Sequence, residues 1–290
     1  MSKNNNIVGE SLSNNPLQPV TLGENSGKNL NTFELKKPDN IETKDENIEP
    51  KKYSLFQKFL AEFFGSVMLV YHCCGAAVFQ SDKLYVAVLS SAFSVLFLIY
   101  CFVKISGAHF NPAVSLPLYL NGSITLKEFI LYFIAQLIGS FLGCVCIALS
   151  RKGRFEELNA TEIKDYLIHV NGGTDIDAWC YISCFFTEFF GTFMLDFFVL
   201  AISEKNNKLG TALGLAFAGL LICLIFTACN ISGSSFNPTR SLAPAVLQAI
   251  SGGSKKPLEQ IWIFIIGPFL GSVVAFYAWK RPNNKNPNLF

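Results

Sequence analysis

The dipeptide Asn-Pro occurs in two closely matching stretches, "ISGAHFNPAVS" at 105–115 and "ISGSSFNPTRS" at 231–241. Asparagine is a good helix cap because its side chain accepts hydrogen bonds from free amides of the first turn. Proline suits the next position because its missing N–H would be unpaired there. Each motif therefore predicts a helix start, at Asn111, Pro112, Ala113 and at Asn237, Pro238, Thr239. The two asparagine amides could also donate hydrogen bonds to a small polar molecule, which is binding chemistry without catalysis.

The two motifs belong to an internal duplication. Asn237 follows Asn111 by 126 residues (237 − 111). The segment "TEFFGTFML", from Thr187, follows "AEFFGSVML", from Ala61, by the same distance, and "GPFLG" follows "GSFLG" by 128 residues (267 − 139). Three landmarks thus match with almost no slippage, so each copy carries one Asn-Pro motif at the same place.

The composition indicates a membrane protein. Hydrophobic residues make up 51% of the 290 residues and charged residues only 15%, which is too apolar for an ordinary soluble domain. The net charge of +2 gives no reason to expect a nucleic-acid partner. The sequence also contains no glycine-rich phosphate loop, metal-ligand spacing or nucleophile arrangement. We therefore expect no cofactor, no metal and no enzymatic activity.

Six apolar segments are long enough to cross a bilayer, which takes about 20 helical residues. They lie at 56–79, 84–103, 127–149, 179–202, 210–229 and 260–279. Lysine and arginine concentrate before the first segment, between the fourth and fifth, and after the sixth. Because basic residues favour the cytoplasmic side of a membrane, both termini are predicted to be cytoplasmic.

The segments outside the predicted channel domain, 56–280, differ in character. Residues 1–55 are polar and rich in asparagine, so we expect a disordered cytoplasmic tail. Residues 281–290 would form a short cytoplasmic C-terminal tail. Residues 151–178 would connect the two copies on the extracellular side, and they contain Asn159 in "NAT", a pattern that accepts N-glycans. The membrane itself could be the plasma membrane or that of an intracellular vesicle or vacuole.

Three spans in each copy, at 56–150 and 179–280, make the second copy cross the membrane in the opposite sense, as an inverted repeat. The helix that starts at Asn111 reaches a turn after about ten residues, or ~15 Å, which is half the membrane. Two such half-helices entering from opposite faces would meet at the midplane, and the backbone leading to them must line a cavity. Positive helix ends and Arg240 would repel cations there, including protons.

At these residues the chain resembles the aquaporin family of membrane channels, also called major intrinsic proteins, over about 56–280. "SGAHFNPAVS" is similar to the family's first signature and "NPTRS" to its second, in which Thr239 replaces the usual alanine. Glu62 and Glu188 resemble the glutamates that brace the two pore loops, and His109 resembles a pore-lining or loop-bracing residue. The resemblance implies an all-α membrane protein with six transmembrane helices and two re-entrant half-helices. It also implies a homotetramer in the lipid bilayer, with a passive pore for water and small neutral solutes in each protomer.

The resemblance further identifies the four positions of the family's narrowest point, here Ser91, Ile225, Ser234 and Arg240. By this resemblance, water channels of the family have Phe, His, a small residue and Arg at these four positions. The chain keeps only the small residue, Ser234, and Arg240. The lost ring and imidazole predict a wider constriction, unless a neighbouring ring, Phe93 or Phe226, fills the space.

Other positions bear on the solute that such a pore would carry. Ser241, Ala245 and Phe264 resemble the water-type members, whereas Ile265 departs from the tryptophan expected there. By most motif positions the chain is therefore water-type, with a channel for glycerol, urea or ammonia-type solutes as the alternative.

Three further hypotheses stay open at this level. Asp196 lies within the fourth predicted span and either reaches the membrane interface or takes part in gating. The N-terminal tail or the loop at 203–208 could close the cytoplasmic mouth. A secondary transporter also combines inverted repeats with broken helices, but it would need a coupling-ion site, and the candidate carboxylates do not converge by sequence position.

Overall fold

The computed structural model describes residues 52–81, 83–170, 172–204 and 212–283. Within these ranges the chain is helical and contains no β-strand. The helices, in chain order, are α1 (Leu55–Phe79), α2 (Leu84–Ser106), α3 (Pro112–Leu120), α4 (Leu126–Ser150), α5 (Asp165–His169), α6 (Ala178–Ile202), α7 (Leu213–Ala228), α8 (Pro238–Ile250), α9 (Lys256–Glu259) and α10 (Ile261–Asn283).

Five helices have the length and composition of membrane spans, namely α1, α2, α4, α6 and residues Ile261–Lys280 of α10. Helix α7 contributes a further 16 residues at the position of the fifth predicted span. That predicted span begins at residue 210, and residues 205–211 lie outside the described part of the chain. Helices α3 and α8 are the short helices that start at the two Asn-Pro motifs. This is the predicted arrangement of six spans and two half-helices.

Glycines bring the helices of each repeat into close contact. Helix α1 packs along α4, and α6 packs along α10, at corresponding positions of the two copies. A Cβ atom on Gly139 of α4 would lie 2.5 Å from the backbone oxygen of Phe63 on α1. A Cβ atom on Gly271 of α10 would overlap the backbone oxygen of Phe189 on α6. Small residues therefore set the spacing of these helices, as they commonly do inside membranes.

Polar caps fix where spans begin. Thr125 and Glu128 form a capping box at the start of α4, in which each side chain accepts a hydrogen bond from the other residue's backbone amide. Lys58 of α1 forms an ion pair with Glu128 (Nζ to Oε1, 2.5 Å), which joins the starts of two helices at one end of the bundle. Asp177 caps α6 by accepting from the Cys180 amide (2.9 Å), and this hydrogen bond lowers the pKa of the Asp177 carboxyl.

Three predicted segments fall largely outside the described residues. The N-terminal tail at 1–55 is described only from residue 52, and the C-terminal tail at 281–290 only as far as residue 283. The loop at 203–208 is described only as far as residue 204. The roles expected of these segments therefore stay predictions.

Candidate functional site

A cavity of about 910 Å³ is lined by residues from both ends of the bundle. At one end, which we name the loop mouth, it is lined by Asn159 and Lys164 of the segment between α4 and α6. At the other end, the helix mouth, it is lined by Lys104 in the last turn of α2. Asn111 and Asn237 both line its middle. The two Asn-Pro motifs thus face a common passage.

The two half-helices meet by their N-termini. Asn111 Nδ2 donates a hydrogen bond to the backbone oxygen of Phe236 (2.7 Å), and Asn237 Nδ2 donates one to the backbone oxygen of Phe110 (2.9 Å). Each asparagine therefore binds the residue that precedes the other. Because a side-chain amide carries two N–H donors, each asparagine retains one donor for a molecule in the cavity.

The same asparagines cap their own helices. Asn111 Oδ1 accepts from the Ala113 amide (2.9 Å), and Asn237 Oδ1 accepts from the amides of Thr239 (3.1 Å) and Arg240 (3.2 Å). Thr239, the departure from the family's alanine, is 1% exposed, and its hydroxyl donates to Asn237 Oδ1 (3.0 Å). The extra hydroxyl is therefore hydrogen-bonded within the cap, and the contact between the half-helices is kept.

The backbone before each motif takes a left-handed conformation at matching residues of the two copies. The φ angles are 57° at Ala108 and 50° at Phe110, and 53° at Ser234 and 52° at Phe236. This conformation costs a non-glycine residue about 1–2 kcal/mol. Strain of this kind persists only where surrounding contacts fix the backbone.

Glu62 fixes the first of these loops. The side chain is 0% exposed, so its carboxylate depends on partners within the protein. Oε1 accepts from the Ser106 hydroxyl (2.6 Å) and the His109 amide (3.0 Å), and Oε2 accepts from the Phe110 amide (2.7 Å) and Gln136 Nε2 (2.8 Å). These hydrogen bonds turn the loop amides away from the cavity that the same loop lines.

Glu188 repeats the arrangement in the second copy. It is also 0% exposed, and it accepts from the Ser232 hydroxyl (2.6 Å), the Ser235 amide (3.0 Å) and the Phe236 amide (2.7 Å). In the second copy the buried Phe264 of α10 stands where the first copy has Gln136 of α4. Because phenylalanine cannot donate, Glu188 accepts one hydrogen bond fewer than Glu62.

Two glycines that recur in the sequence accommodate aromatic rings from these loops. The ring of Phe110 lies against Gly65 of α1, and the ring of Phe236 lies against Gly191 of α6. In both places a Cβ atom would overlap the ring. The rings and the glutamate bonds together hold each left-handed loop in place.

His109 lines the cavity and is held on its other side. Its Nδ1 is hydrogen-bonded to the Ser115 hydroxyl (3.0 Å), and its ring packs edge-on against Tyr132 with centroids 5.2 Å apart. The Tyr132 hydroxyl donates to the backbone oxygen of Ser106 (2.8 Å). The position is compatible with both roles that the resemblance implies for His109.

The four residues expected at the constriction line the same cavity, namely Ser91, Ile225, Ser234 and Arg240. The Ser91 hydroxyl donates to the backbone oxygen of Ala87 (2.8 Å), and the Ser234 hydroxyl donates to that of Ile225 (3.1 Å). Both hydroxyl protons are thus engaged by backbone. The guanidinium of Arg240 donates to the backbone oxygen of Asn159 (3.2 Å) and places a positive charge at this level.

The two aromatic rings that could have narrowed the constriction do not do so. Phe93 and Phe226 are 51% and 48% exposed, and both lie outside the cavity lining. The space left by the family's ring and imidazole is therefore not filled by either of them.

Residues 158–164 of the connecting segment form part of the cavity wall. They are joined to α8, to the start of α10 and to the loop before α8 through Leu158–Gln248, Thr161–Ser241, Ile163–Gln260 and Lys164–Ile231. Asn159 is half-buried in this wall with φ 54°. The glycosylation predicted at Asn159 stays a prediction.

Asp196 lies outside the cavity lining, on the side of α6 that packs against α10. It is 0% exposed, so its carboxylate is enclosed by protein. Neither of its carboxylate oxygens accepts a hydrogen bond from the residues that the structure describes. The neighbouring hydroxyl of Ser272 on α10 does not donate to Asp196, because it donates to the backbone oxygen of Pro268 (2.9 Å). A role of Asp196 in gating stays a prediction.

Sequence reasoning missed two residues of this site, Gln136 and Lys164. A signal existed for Gln136, because a polar side chain in the middle of a membrane span usually faces the interior of the bundle. Lys164 had no such signal, since a lysine in a polar connecting segment is ordinary.

Comparison with known proteins supports the same interpretation. The family model for major intrinsic protein matches residues 49–279. The chain is similar to aquaporin NIP1-1 of Oryza sativa subsp. japonica, with 30% identity over 229 residues, which is 77% of this chain and 73% of that protein. It is also similar to glycerol uptake facilitator protein-like 6 of Lactiplantibacillus plantarum, with 31% identity over 224 residues, 77% of this chain and 96% of that protein.

Among solved structures, the X-ray structure of the aquaglyceroporin from Plasmodium falciparum matches with a TM-score of 0.66 and 24% identity, over 79% of this chain and 96% of that one. This match shows the fold, and with it the predicted inverted-repeat membrane architecture is confirmed. The matched family model covers both Asn-Pro motifs and both glutamates. The chain therefore belongs to the major intrinsic protein family, as a multi-pass membrane channel for water and small solutes.

Proposed function

We propose that this chain forms a passive pore through which water and small neutral solutes cross a membrane down their gradients, while protons and ions are excluded. One observation carries the proposal. The cavity at whose middle Asn111 and Asn237 meet is the same cavity that Ser91, Ile225, Ser234 and Arg240 line. These residues would set selectivity, and Glu62, Glu188 and His109 would hold the pore loops.

Charge along the passage supports the exclusion of cations and protons. The N-termini of α3 and α8 face each other at the middle, and a helix N-terminus carries roughly half an elementary positive charge. Arg240 adds a full positive charge beside the constriction and is 6% exposed. A proton moving along a file of water would approach all three.

The constriction supports passage of solutes larger than water. Ser91 and Ile225 stand where a water channel has an aromatic ring and an imidazole, and neither Phe93 nor Phe226 lines the cavity. Its relatives include both aquaporins and a glycerol uptake facilitator. We therefore propose a water-type pore with a widened constriction, which also passes solutes of the glycerol and urea class.

A permeability measurement tests this selectivity. Purified protein in liposomes should show osmotic water flow and glycerol and urea uptake by stopped-flow light scattering. The double variant Ser91→Phe/Ile225→His should lower glycerol uptake about tenfold relative to water flow, because it restores a ring and an imidazole that narrow the constriction. Leu89→Phe, on the exposed face of the same helix, is the control and should leave the ratio unchanged.

The outcomes distinguish the passive pore from the widened constriction. If the wild-type chain passes water but neither glycerol nor urea, the proposed pore stands and the proposed widened constriction is rejected. Absence of all three flows would reject the passive pore.

Assembly and orientation are also part of the proposal. We propose a homotetramer with a pore in each protomer, cytoplasmic termini, and residues 151–178 outside, in the plasma membrane or in an intracellular vesicle or vacuole membrane. Closure of the helix mouth by the N-terminal tail or by residues 203–208 would make the pore gated. The secondary transporter is not favoured, because the matched family consists of channels.

A further inference from the structure

The inverted repeat gives each residue of the constriction a counterpart in the other half of the cavity. An inverted repeat exchanges the two faces of the membrane, and the two copies here are offset by 126 residues (217 − 91). The offset pairs Ser91 with Phe217, Ile225 with Ile99, Ser234 with Ala108, and Arg240 with Val114. All four counterparts line the cavity. We name these four, Ile99, Ala108, Val114 and Phe217, the inner level, because the exchange places them in the half nearer the helix mouth.

Helix α7 takes part in both levels. Phe217 lies in its second turn, and Ile225 of the constriction lies eight residues further along. At 1.5 Å per residue the two positions are about 12 Å apart along the helix. A solute would therefore pass the two levels one after the other.

The side chains of the inner level are all apolar. The constriction, in contrast, carries the guanidinium of Arg240 and two hydroxyls. Phe217 is the largest side chain of the inner level and supplies its one aromatic ring. The ring that the constriction lacks at Ser91 thus stands at the matching position of the other copy.

The ring of Phe217 is held in the cavity wall by its neighbours. It packs edge-on against Phe198 of α6, with ring centroids 6.1 Å apart. It also packs against a buried apolar cluster that includes Val114, Leu118 and Val199, and these three residues line the cavity as well. Phe217 is half-buried, so these contacts cover only part of its surface.

We infer that Phe217 is a specificity-determining residue of the pore, whose ring forms a second, apolar constriction at the inner level. The inference rests on the proposed channel function and names the residue that limits solute size in the half nearer the helix mouth. A solute that passes between Ser91 and Arg240 must then also pass this ring.

The two constrictions select by different properties. Beside Arg240 a solute can replace lost water by accepting hydrogen bonds from the guanidinium. The side chains of the inner level offer no such replacement, so each additional hydroxyl of a solute adds a desolvation cost there. Apolar constrictions in channels act as barriers of this kind. Water and short solutes therefore pass the inner level more easily than longer polyols do.

Uptake of a polyol longer than glycerol tests the inner constriction. Xylitol, with five carbons, is measured in proteoliposomes by stopped-flow light scattering, and its uptake is expressed relative to osmotic water flow. The wild-type ratio should be low. Phe217→Ala should raise it about tenfold, because a few carbon atoms in a narrow apolar site change discrimination by at least that factor.

Two further variants separate the ring from the stability of the fold. Phe217→Leu keeps an apolar side chain on the cluster and should raise the xylitol ratio in the same direction, which a loss of folded protein would not do. Phe217→Trp enlarges the ring system and should lower glycerol uptake relative to water flow. The matched control is Phe226→Ala on the same helix, since Phe226 is 48% exposed and lies outside the cavity lining. It should leave both ratios unchanged.

Moving the ring between the two copies tests the repeat relation itself. The double variant Phe217→Ala/Ser91→Phe removes the ring from the inner level and places one at the constriction. It should return the xylitol ratio from the raised value of Phe217→Ala to near the wild-type value.

Each outcome decides the inference. Retained water flow with an unchanged xylitol ratio in both Phe217→Ala and Phe217→Leu would overturn it, as would an equal rise in Phe226→Ala. Either result would leave the proposed channel function standing. Absence of water flow in the wild-type chain would instead defeat that function, and the inference with it.

Discussion

At the residue scale, one carboxylate in each repeat decides whether the pore loops can exist. The loops hold four non-glycine residues in the left-handed region, a conformation that is unfavourable without external contacts. Glu62 and Glu188 supply those contacts by accepting hydrogen bonds from consecutive loop amides. The glutamates therefore act on the passage without lining it.

Replacing either glutamate by glutamine should destabilise the protein. Glutamine presents an N–H₂ group where one carboxylate oxygen accepts a loop amide, so a donor would face a donor. Hydrogen bonds to charged groups contribute about 1.5–3 kcal/mol each, so we expect a loss of about 2 kcal/mol or more for Glu188→Gln and a larger loss for Glu62→Gln. Thermal unfolding of the purified protein measures both.

The control for this pair is Glu157→Gln. Glu157 forms an ion pair with Arg151 near the surface, and its side chain is 72% exposed, so its substitution should change the unfolding temperature little. Unfolding of Glu188→Gln at the wild-type temperature would show that the loop is held by other contacts.

At the scale of elements, both repeats bring two helices together by packing a glycine of one helix against a backbone oxygen of the other. Gly139 lets α4 approach α1, and Gly271 lets α10 approach α6, in both cases against a backbone oxygen. Because a backbone oxygen cannot move aside as the end of a side chain can, these contacts fix the distance between the helices. The frame that carries Glu62 and Glu188 is set in this way.

Gly271→Ala should therefore be costly although alanine favours helices. The added methyl group would overlap the backbone oxygen of Phe189 and force α10 away from α6. We expect a loss of about 1–3 kcal/mol in stability, as for other overpacked cores. The matched control is Gly219→Ala in α7, where no atom lies within 4 Å of the new Cβ, so that substitution should be neutral or slightly stabilising. An equal response of both variants in thermal unfolding would contradict the packing argument.

At the scale of the whole molecule, features that depend on local chemistry were predictable from the sequence. The Asn-Pro motifs predicted both half-helix starts, and the duplication predicted that they face each other, because capping and repeat distance are readable in one chain. The apolar segments likewise predicted the spans.

Features that depend on contacts between distant segments were not predictable. Lys164 reaches the loop mouth through a hydrogen bond to Ile231, and the burial of Asp196 depends on how α6 packs against α10. Neither contact leaves a pattern in the neighbouring residues. The same holds for residues 158–164, which the sequence indicated only as a connection and which form part of the cavity wall.

The most direct test of the central claim, that the cavity between Asn111 and Asn237 is an open passive pore, is osmotic water flow into proteoliposomes by stopped flow at several temperatures. The account predicts flow faster than in protein-free liposomes, with the weak temperature dependence of water moving through water and without need of an ion gradient. Flow equal to that of the lipid alone, or flow that appears only with an ion gradient, would contradict it.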